Sequence, residues 1–288
     1  MFYRIMTFVL LGVSIVMTGL YLHAVMRHPA RPEPRNTADD AVTATEAVNV
    51  ADNVDYINRH LSTKSDISHT FYSTKAVSVH LHVLGLEQMV PLHIHPTSSE
   101  ATVIVSGRPE VESVFWRNGA PAREKQVYGA GTLIYSPPFC GHAWVNTSAK
   151  EMQANLVFTV PPFAGNFYVQ ENDPRLKQAG APVVVDPDEA LQSFLSHAKP
   201  YEVIDRGIMN GMMSLLLVKE GLHLDAEPSE RVLYVVRGSG VLEADRKLEL
   251  REKLLLLIPS NRAMDITAGA GTPLAVFAFR TAPAAPHP

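Results

Sequence analysis

The sequence has a single cysteine and no strong excess of charge of either sign, and both absences exclude classes of protein. With Cys140 alone among 288 residues, no intramolecular disulfide can form. The formal net charge is only −4, and no basic cluster lies among aromatic residues, which argues against a nucleic-acid partner. The composition, 46% hydrophobic and 19% charged, is typical of a globular chain with one large or two small domains.

The N-terminal segment carries no acidic or basic side chain from Ile5 to Met26 apart from one histidine. An apolar run of about 20 residues can cross a bilayer as a helix, and Tyr21 suits an interfacial position. We expect residues 1–27 to be an uncleaved signal anchor, with a cleaved signal peptide as the alternative. Either would place the body outside the cytoplasm, membrane-anchored or secreted, and periplasmic in a Gram-negative bacterium. The absence of a twin-arginine pair predicts export before folding.

The remainder of the chain divides by composition. Residues 28–53 are rich in Pro, Ala, Thr and Asp and predict a flexible linker. Short β-branched and aromatic runs between Gly, Pro and Asn then predict an all-β fold over residues 54–165 and again over 201–280. Residues 166–200 are expected to form a connection with a short helix, capped by Asp186 or Asp188, and residues 281–288 a tail.

The two strand-rich regions look related to each other. Three residues of the first have counterparts in the same order in the second, at offsets of 130, 130 and 122 residues. The pairs are His93 and His223, Glu100 and Glu230, and Pro137 and Pro259. A weak repeat of this kind predicts two barrels that arose by duplication.

Four side chains of the first region have the types and spacing of a metal site: His93, His95, Glu100 and His142. Residues i and i+2 of a strand share a face, so His93 and His95 can point at one ion. A turn over residues 96–99 brings the chain back to Glu100, and His142 follows a second sharp turn. Three imidazoles and a carboxylate suit Fe, Mn, Co, Ni, Cu or Zn and suit Ca or Mg poorly. We therefore predict one divalent transition metal ion.

These residues resemble the cupin superfamily, and the resemblance covers both signature motifs of that family. Two motif glycines are replaced, the first by Glu87 and the second by Phe139. The positions that agree are His93, His95, Glu100, Gly107, Gly131, Pro137, His142 and Asn146. The resemblance implies two double-stranded β-helix, or jelly-roll, barrels, as in bicupins of the quercetin-dioxygenase and oxalate-decarboxylase types.

The second region offers a weaker set on the same spacing. It contains His223, Asp225, Glu230 and Met264, so that a methionine replaces the third imidazole. We expect this barrel to pack against the first without binding metal. An altered ligand set, or a polar site for a small molecule, is the alternative.

The resemblance implies a metal-dependent, oxygenase-type enzyme that acts on a small organic molecule, because one intact site beside a degraded one is similar to the dioxygenase arrangement. Glu100 would either bind the metal or act as a base, helped by a raised pKa beside an apolar wall. A non-catalytic, membrane-tethered binding or sensory protein is the main alternative, and an isomerase or epimerase is the third. Folding after export favours Cu or Zn as the metal. Edge strands would allow a homodimer.

Several other side chains near the motifs have a predicted place. His80 and His82 alternate with apolar residues of one strand, and we expect both to point outward. Cys140 is expected to be a packing residue, with a reactive thiol as the alternative, and Trp144 is expected to pack inside the barrel. Three residues are predicted to line the entrance to the site: Tyr135, Phe139 and Cys140.

Overall fold

The computed structural model describes residues 42–60 and 66–281, whose regular structure is dominated by antiparallel strands. This confirms the all-β prediction. The predicted anchor, residues 1–27, and residues 282–288 of the predicted tail lie outside the described residues. In the two described ranges, no helix has the length and apolarity needed to cross a membrane.

Twenty-one strands and two α-helices make up the described ranges. In chain order they are β1 (Glu46–Asn49), α1 (Val50–His60), β2 (Asp66–Ser73), β3 (Ser78–Leu84), β4 (Met89–Ile94), β5 (Ser99–Ser106), β6 (Glu110–Arg117), β7 (Ala120–Val127), β8 (Leu133–Ser136), β9 (Gly141–Val145), β10 (Gln153–Val160), β11 (Phe167–Tyr168), β12 (Val183–Val185), α2 (Pro187–Leu195), β13 (Tyr201–Ile204), β14 (Met213–Val218), β15 (Gly221–Leu224), β16 (Arg231–Arg237), β17 (Ser239–Glu243), β18 (Lys247–Arg251), β19 (Leu254–Ile258), β20 (Met264–Ala268) and β21 (Leu274–Arg280).

The strands form two barrels, each made of two sheets. The first barrel has a six-stranded sheet in the order β12-β8-β5-β10-β3-β2 and a five-stranded sheet in the order β11-β4-β9-β6-β7. The second has a six-stranded sheet, β1-β19-β16-β21-β14-β13, and a four-stranded sheet, β15-β20-β17-β18. Corresponding strands lie in corresponding places, as expected for a duplicated unit.

The largest hydrophobic core lies between the two six-stranded sheets. Phe158 on β10 and Phe279 on β21 meet there, with ring centroids 5.6 Å apart, and both are fully buried. Val79, Leu81 and Val83 of β3 belong to the same core. The six-stranded sheet of the first barrel is therefore covered on both faces, by the barrel interior on one side and by the second barrel on the other.

Each barrel includes at least one strand that lies outside its predicted range. Strand β1 falls in the predicted linker over residues 28–53 but pairs with β19 of the second barrel. That prediction is wrong for the end of the linker, because Val42 is buried and the amide of Thr45 donates to Asp245. Strand β12 falls in the predicted connection over residues 166–200 and pairs with β8 of the first barrel.

The predicted short helix in this connection is present as α2. Its N-cap is Asp186, whose carboxylate accepts hydrogen bonds from the amides of Asp188 and Glu189. Asp188 instead forms an ion pair with Arg237 of the second barrel. Arg237 also donates to the carbonyl of Ala130, so it links the helix and both barrels.

Candidate metal centre

The four predicted ligands come from both sheets of the first barrel, from β4 and β9 of the five-stranded sheet and β5 of the six-stranded sheet. His93 lies on β4 directly opposite His142 on β9, so strand pairing fixes their separation. His95 lies just past the end of β4, and Glu100 is the second residue of β5. All four are at least nine-tenths buried. Their assignment as ligands, and a catalytic role of Glu100, stay predictions.

The three histidines converge on one point. Their ligand nitrogens all lie within 4.8 Å of one another. The ring centroids are 4.2 Å apart for His93 and His142, 5.0 Å for His93 and His95, and 5.2 Å for His95 and His142. Within residues 42–60 and 66–281, this is the only group of three or more His, Cys, Asp or Glu side chains close enough to share an ion.

Backbone carbonyls hold each imidazole by its Nδ1 atom. Nδ1 of His93 donates to the carbonyl of Pro91 at 2.8 Å, Nδ1 of His95 to Gly165 at 3.1 Å, and Nδ1 of His142 to Cys140 at 3.1 Å. A carbonyl can only accept, so these contacts place the proton of each neutral ring on Nδ1. The lone pair then lies on Nε2, as in metal-binding histidines.

The Nε2 atoms of His95 and His142 face the carboxylate of Glu100. The distances are 3.2 Å from Nε2 of His95 to Oε2 and 3.5 Å from Nε2 of His142 to Oε1. Both Nε2 atoms are buried and make no hydrogen bond in the described structure. Lone pairs that face a carboxylate repel it unless a cation lies between them. The residues therefore fit a divalent metal ion, with His93, His95, His142 and Glu100 as its donors.

The protonation states favour metal binding. Burial, followed by the proximity of His142, lowers the pKa of His93 to about 3. Burial also lowers the pKa of His142. Burial acts downward on His95 too, but the adjacent carboxylate of Glu100 outweighs burial and raises the pKa of His95. Neutral rings at His93 and His142 are ready to bind a metal without losing a proton.

Glu100 is ionised, contrary to the sequence-based expectation. Burial alone would raise its pKa, but the positive charge that the rings of His142 and His95 carry when protonated outweighs burial, and the pKa lies well below its usual range. The hydroxyl of Thr102 also donates to Oε1 at 2.9 Å. The prediction of a raised pKa is wrong because imidazoles surround this carboxylate, and the predicted apolar wall lies elsewhere.

The two replaced motif glycines keep a glycine-like backbone. Glu87 has φ 54° and Phe139 has φ 65°, both in the left-handed region that favours glycine. The amide of Phe139 donates to the carbonyl of His95 at 3.3 Å, which ties the turn before His142 to the end of β4. Loop geometry is therefore maintained at both substituted positions.

A cavity of about 210 Å³ adjoins the site and is lined by His93 and Glu100. Three of its lining residues, Asp66, Ser68 and Phe163, are exposed and mark its opening. The full lining is Asp66, Ser68, His80, His82, Val90, His93, Glu100, Thr102, Trp144, Asn155, Val157, Phe163 and Asn166. The predicted entrance residues Tyr135, Phe139 and Cys140 are not among them.

His80 and His82 point into this cavity, so the prediction that both face outward is wrong. The apolar residues that alternate with them do fill a core, but it is the core between the barrels. His80 is buried and contacts the ring of Phe163, and His82 bonds to Asp66 at 2.5 Å. A strand covered on both faces cannot be oriented from its apolar side alone.

Cys140 and Trp144 behave as predicted packing residues. Cys140 is buried with Phe115 and Ala179, and burial raises the pKa of its thiol to about 12. Trp144 is buried in a cluster inside the first barrel and forms part of the cavity wall. A thiol with so high a pKa is not reactive at neutral pH.

The interior of the second barrel is filled by aliphatic side chains. Met264 is among them, whereas His223 and Asp225 are exposed on the surface. His223 bonds there to Asp265 at 2.7 Å. Inward positions on the matching strand, β15, hold Leu222 and Leu224.

Glu230 also points away from the interior of the second barrel. Its carboxylate accepts hydrogen bonds from the hydroxyl of Tyr72 and from the amide of Val42. The next residue, Arg231, points inward instead and donates to backbone carbonyls of Asp225 and Arg262. The predicted pairs of His93 with His223 and of Glu100 with Glu230 are therefore one residue out of register, and a buried guanidinium lies where Glu100 lies in the first barrel.

Comparison with known proteins agrees with this architecture. The sequence profile of the family described as Cupin matches residues 51–170. A variant of salicylate 1,2-dioxygenase from Pseudoaminobacter salicylatoxidans has a similar fold, with 14% identity, a TM-score of 0.62 and 94% of each chain covered.

Residues 51–170 belong to the cupin family, and the chain as a whole has the fold of two-barrel cupins. The same dioxygenase solved as adducts with gentisate is 15% identical to this cupin, with a TM-score of 0.59, over 95% of this chain and 89% of that one. A cupin 2 conserved barrel domain protein from Leptotrichia buccalis is 10% identical, with a TM-score of 0.55, over 84% and 98% of the two chains. No curated protein matches this cupin in sequence.

Burial of His80 should make the free energy of unfolding fall at acid pH. Burial lowers its pKa to about 4, below the ordinary value of 6.5 in the unfolded chain. Between these values the unfolded chain binds the extra proton, so this contribution to stability is complete above about pH 6.5 and is lost as the pH falls toward 4. In metal-free protein, His80→Asn should reduce the loss of unfolding free energy between pH 7 and pH 5 by about 2 kcal/mol.

Denaturant unfolding at a series of pH values measures this effect. His223→Asn is the matched control, because His223 is exposed and its hydrogen bond with Asp265 raises its pKa. An identical pH dependence in wild type and His80→Asn would contradict the prediction.

Proposed function

We propose that this cupin is a metal-dependent, oxygenase-type enzyme that acts on a small organic molecule. The observation that supports this most is the group of three imidazoles whose Nδ1 atoms are tethered to carbonyls and whose Nε2 atoms converge beside a cavity. His93 and Glu100 line that cavity, so a molecule inside it can reach a metal held by these side chains.

The metal would supply the redox chemistry that reaction with dioxygen needs, at coordination positions that the protein leaves open toward the cavity. The side chains of this chain do the rest. Val90, Trp144 and Val157 form an apolar wall that excludes water from the site. Glu100, held ionised by its histidine neighbours, balances the charge of the cation and orients His95 and His142.

Similarity of fold to a salicylate dioxygenase favours an oxygenase among the cupin functions, although a shared fold by itself does not carry function. The presence of only one candidate metal site in the described residues also favours an oxygenase. The second barrel holds Arg231 and aliphatic side chains where a second metal would need ligands. The reaction would therefore take place at one centre per chain.

Oxygen consumption by metal-reconstituted protein tests the proposal. Protein loaded separately with Fe, Mn, Co, Ni, Cu or Zn is incubated with a panel of phenols, diols and hydroxy acids in an oxygen electrode. An oxygenase consumes dioxygen in step with substrate, and ¹⁸O₂ labels the product. Turnover that continues without oxygen would instead indicate an isomerase or epimerase. Ligand-dependent thermal stabilisation without any product would indicate a binding or sensory protein.

We also propose that both barrels lie outside the cytoplasm, tethered or released by residues 1–27. The uncharged apolar run from Ile5 to Met26 supports this, since its length suits a membrane span. Protease added to intact spheroplasts should digest the barrels, whereas a cytoplasmic marker stays protected. Protection of the barrels equal to that of the marker would contradict the proposal.

A further inference from the structure

The cavity beside the metal centre has a polar wall that the metal ligands do not account for. Four side chains of this wall come from β2, β3 and β10: Asp66, His80, His82 and Asn155. Another part of the wall is apolar and includes Trp144 and Phe163. A ligand here would meet polar groups on one side and flat aromatic surface on another.

Asn155 presents an acceptor with no partner. It is 1% exposed, and its Oδ1 atom is buried without a hydrogen bond in the described structure. On β10 it lies opposite His82 of β3, so it shares the inward face of the sheet with the cavity histidines. A buried amide oxygen without a donor is destabilising, and a hydroxyl of a bound molecule would supply that donor.

The charges around the cavity are unsuited to an anionic ligand. Two carboxylates, Asp66 and Glu100, line it, and none of the lining residues is an arginine or lysine. Asp66 accepts a hydrogen bond from His82, which leaves that ring engaged. Carboxylate ligands are usually held by a guanidinium fork or an ammonium group in addition to any metal. This wall has neither.

The volume, about 210 Å³, is below the range of about 300–1,000 Å³ common for drug-sized ligands. We propose that the cavity selects an uncharged, hydroxyl-bearing molecule of about one ring, with a hydroxyl donated to Oδ1 of Asn155, and that it discriminates against carboxylates. This inference rests on the proposed function only in taking the cavity as the substrate site.

Salicyl alcohol and salicylate test the selectivity, because they differ only in a hydroxymethyl group against a carboxylate. Equilibrium binding is measured on the full chain with its metal, under nitrogen, so that no turnover is required. We expect salicyl alcohol to bind about tenfold or more tightly than salicylate. Salicylate binding as tightly as the alcohol, or no binding of either compound, would overturn the proposal.

Three variants test the role of Asn155. Asn155→Leu should weaken salicyl alcohol by about three- to tenfold and leave salicylate unchanged. Gln153→Leu is the matched control, because Gln153 is a buried amide on the same strand that does not line the cavity. It should leave both affinities unchanged. Asn155→Asp keeps the acceptor and adds charge, so it should retain the alcohol and weaken salicylate further, which covers the case in which Asn155→Leu fails to fold.

The outcome separates this inference from the proposed function. Selective binding of the alcohol in a protein that never consumes oxygen would support the pocket and count against the oxygenase. Oxygen consumption with a preference for salicylate would retain the oxygenase and overturn the selectivity. Equal effects of Asn155→Leu and Gln153→Leu would also overturn it, because the loss would then be structural.

Discussion

Replacing His142 with alanine should remove the metal and any turnover together. His142 is 1% exposed, pairs with His93 across the sheet, and presents a buried Nε2 atom with no hydrogen bond. Removing only a hydrogen-bond partner of a metal ligand typically weakens metal binding by about 10–100-fold. Removing the ligand imidazole itself should weaken metal binding more than that. We expect metal content to fall from about one ion per chain to a small fraction, measured by elemental analysis of natively purified protein.

His223→Ala is the matched control for this experiment. His223 was predicted to correspond to His93, but it lies exposed and bonded to Asp265 on the second barrel. Its loss should leave metal content and turnover unchanged. Full metal content and turnover in a folded His142→Ala protein would contradict the assignment of the site.

Replacing Phe158 with alanine should lower the free energy of unfolding by about 3–5 kcal/mol. Phe158 is fully buried between the barrels, where it contacts Phe279. Close packing on both sides prevents the site from collapsing around the smaller side chain. Denaturant unfolding followed by fluorescence measures the change, which should appear in the unfolding of both barrels because they share this core.

Phe167→Ala provides the control. Phe167 is 46% exposed on β11, so its replacement should lower the free energy of unfolding far less. A double replacement of Phe158 and Phe279 should cost less than the sum of the two single changes, as for residues in contact. Barrels that unfold independently, with only the first one destabilised, would contradict the shared core.

The clustering of the four predicted ligands could be predicted because most of its signal is local. The spacing of His93 and His95 needs only the alternation of a strand, and the turn before Glu100 is short. The sequence placed His142 through a motif, and the pairing of β4 with β9 explains why the motif works. The four side chains meet as predicted, and the backbone of Glu87 and Phe139 explains how two glycines were replaced without disturbing them.

The sequence did not reveal the cavity because the orientation of β3, whose histidines line it, depends on contacts between residues distant in sequence. The alternation of β3 showed two faces but could not show which one faced the interior, since the second barrel covers the other. Strand β1 was missed for the same reason, because its pairing with β19 joins residues about 200 positions apart. Two of the three predicted repeat pairs were misaligned by one residue, and in a strand such a slip reverses every side chain.

Strand β3 carries two kinds of constraint on alternating positions. Val79, Leu81 and Val83 must fill the core between the barrels, whereas His80 and His82 must suit the cavity. Tolerance to substitution should therefore alternate along the strand, with volume selected at the odd positions and hydrogen-bonding chemistry at the even ones. An insertion or deletion of one residue here would exchange the two sets. Substitutions in this strand should therefore be accepted independently on its two faces, each under its own constraint.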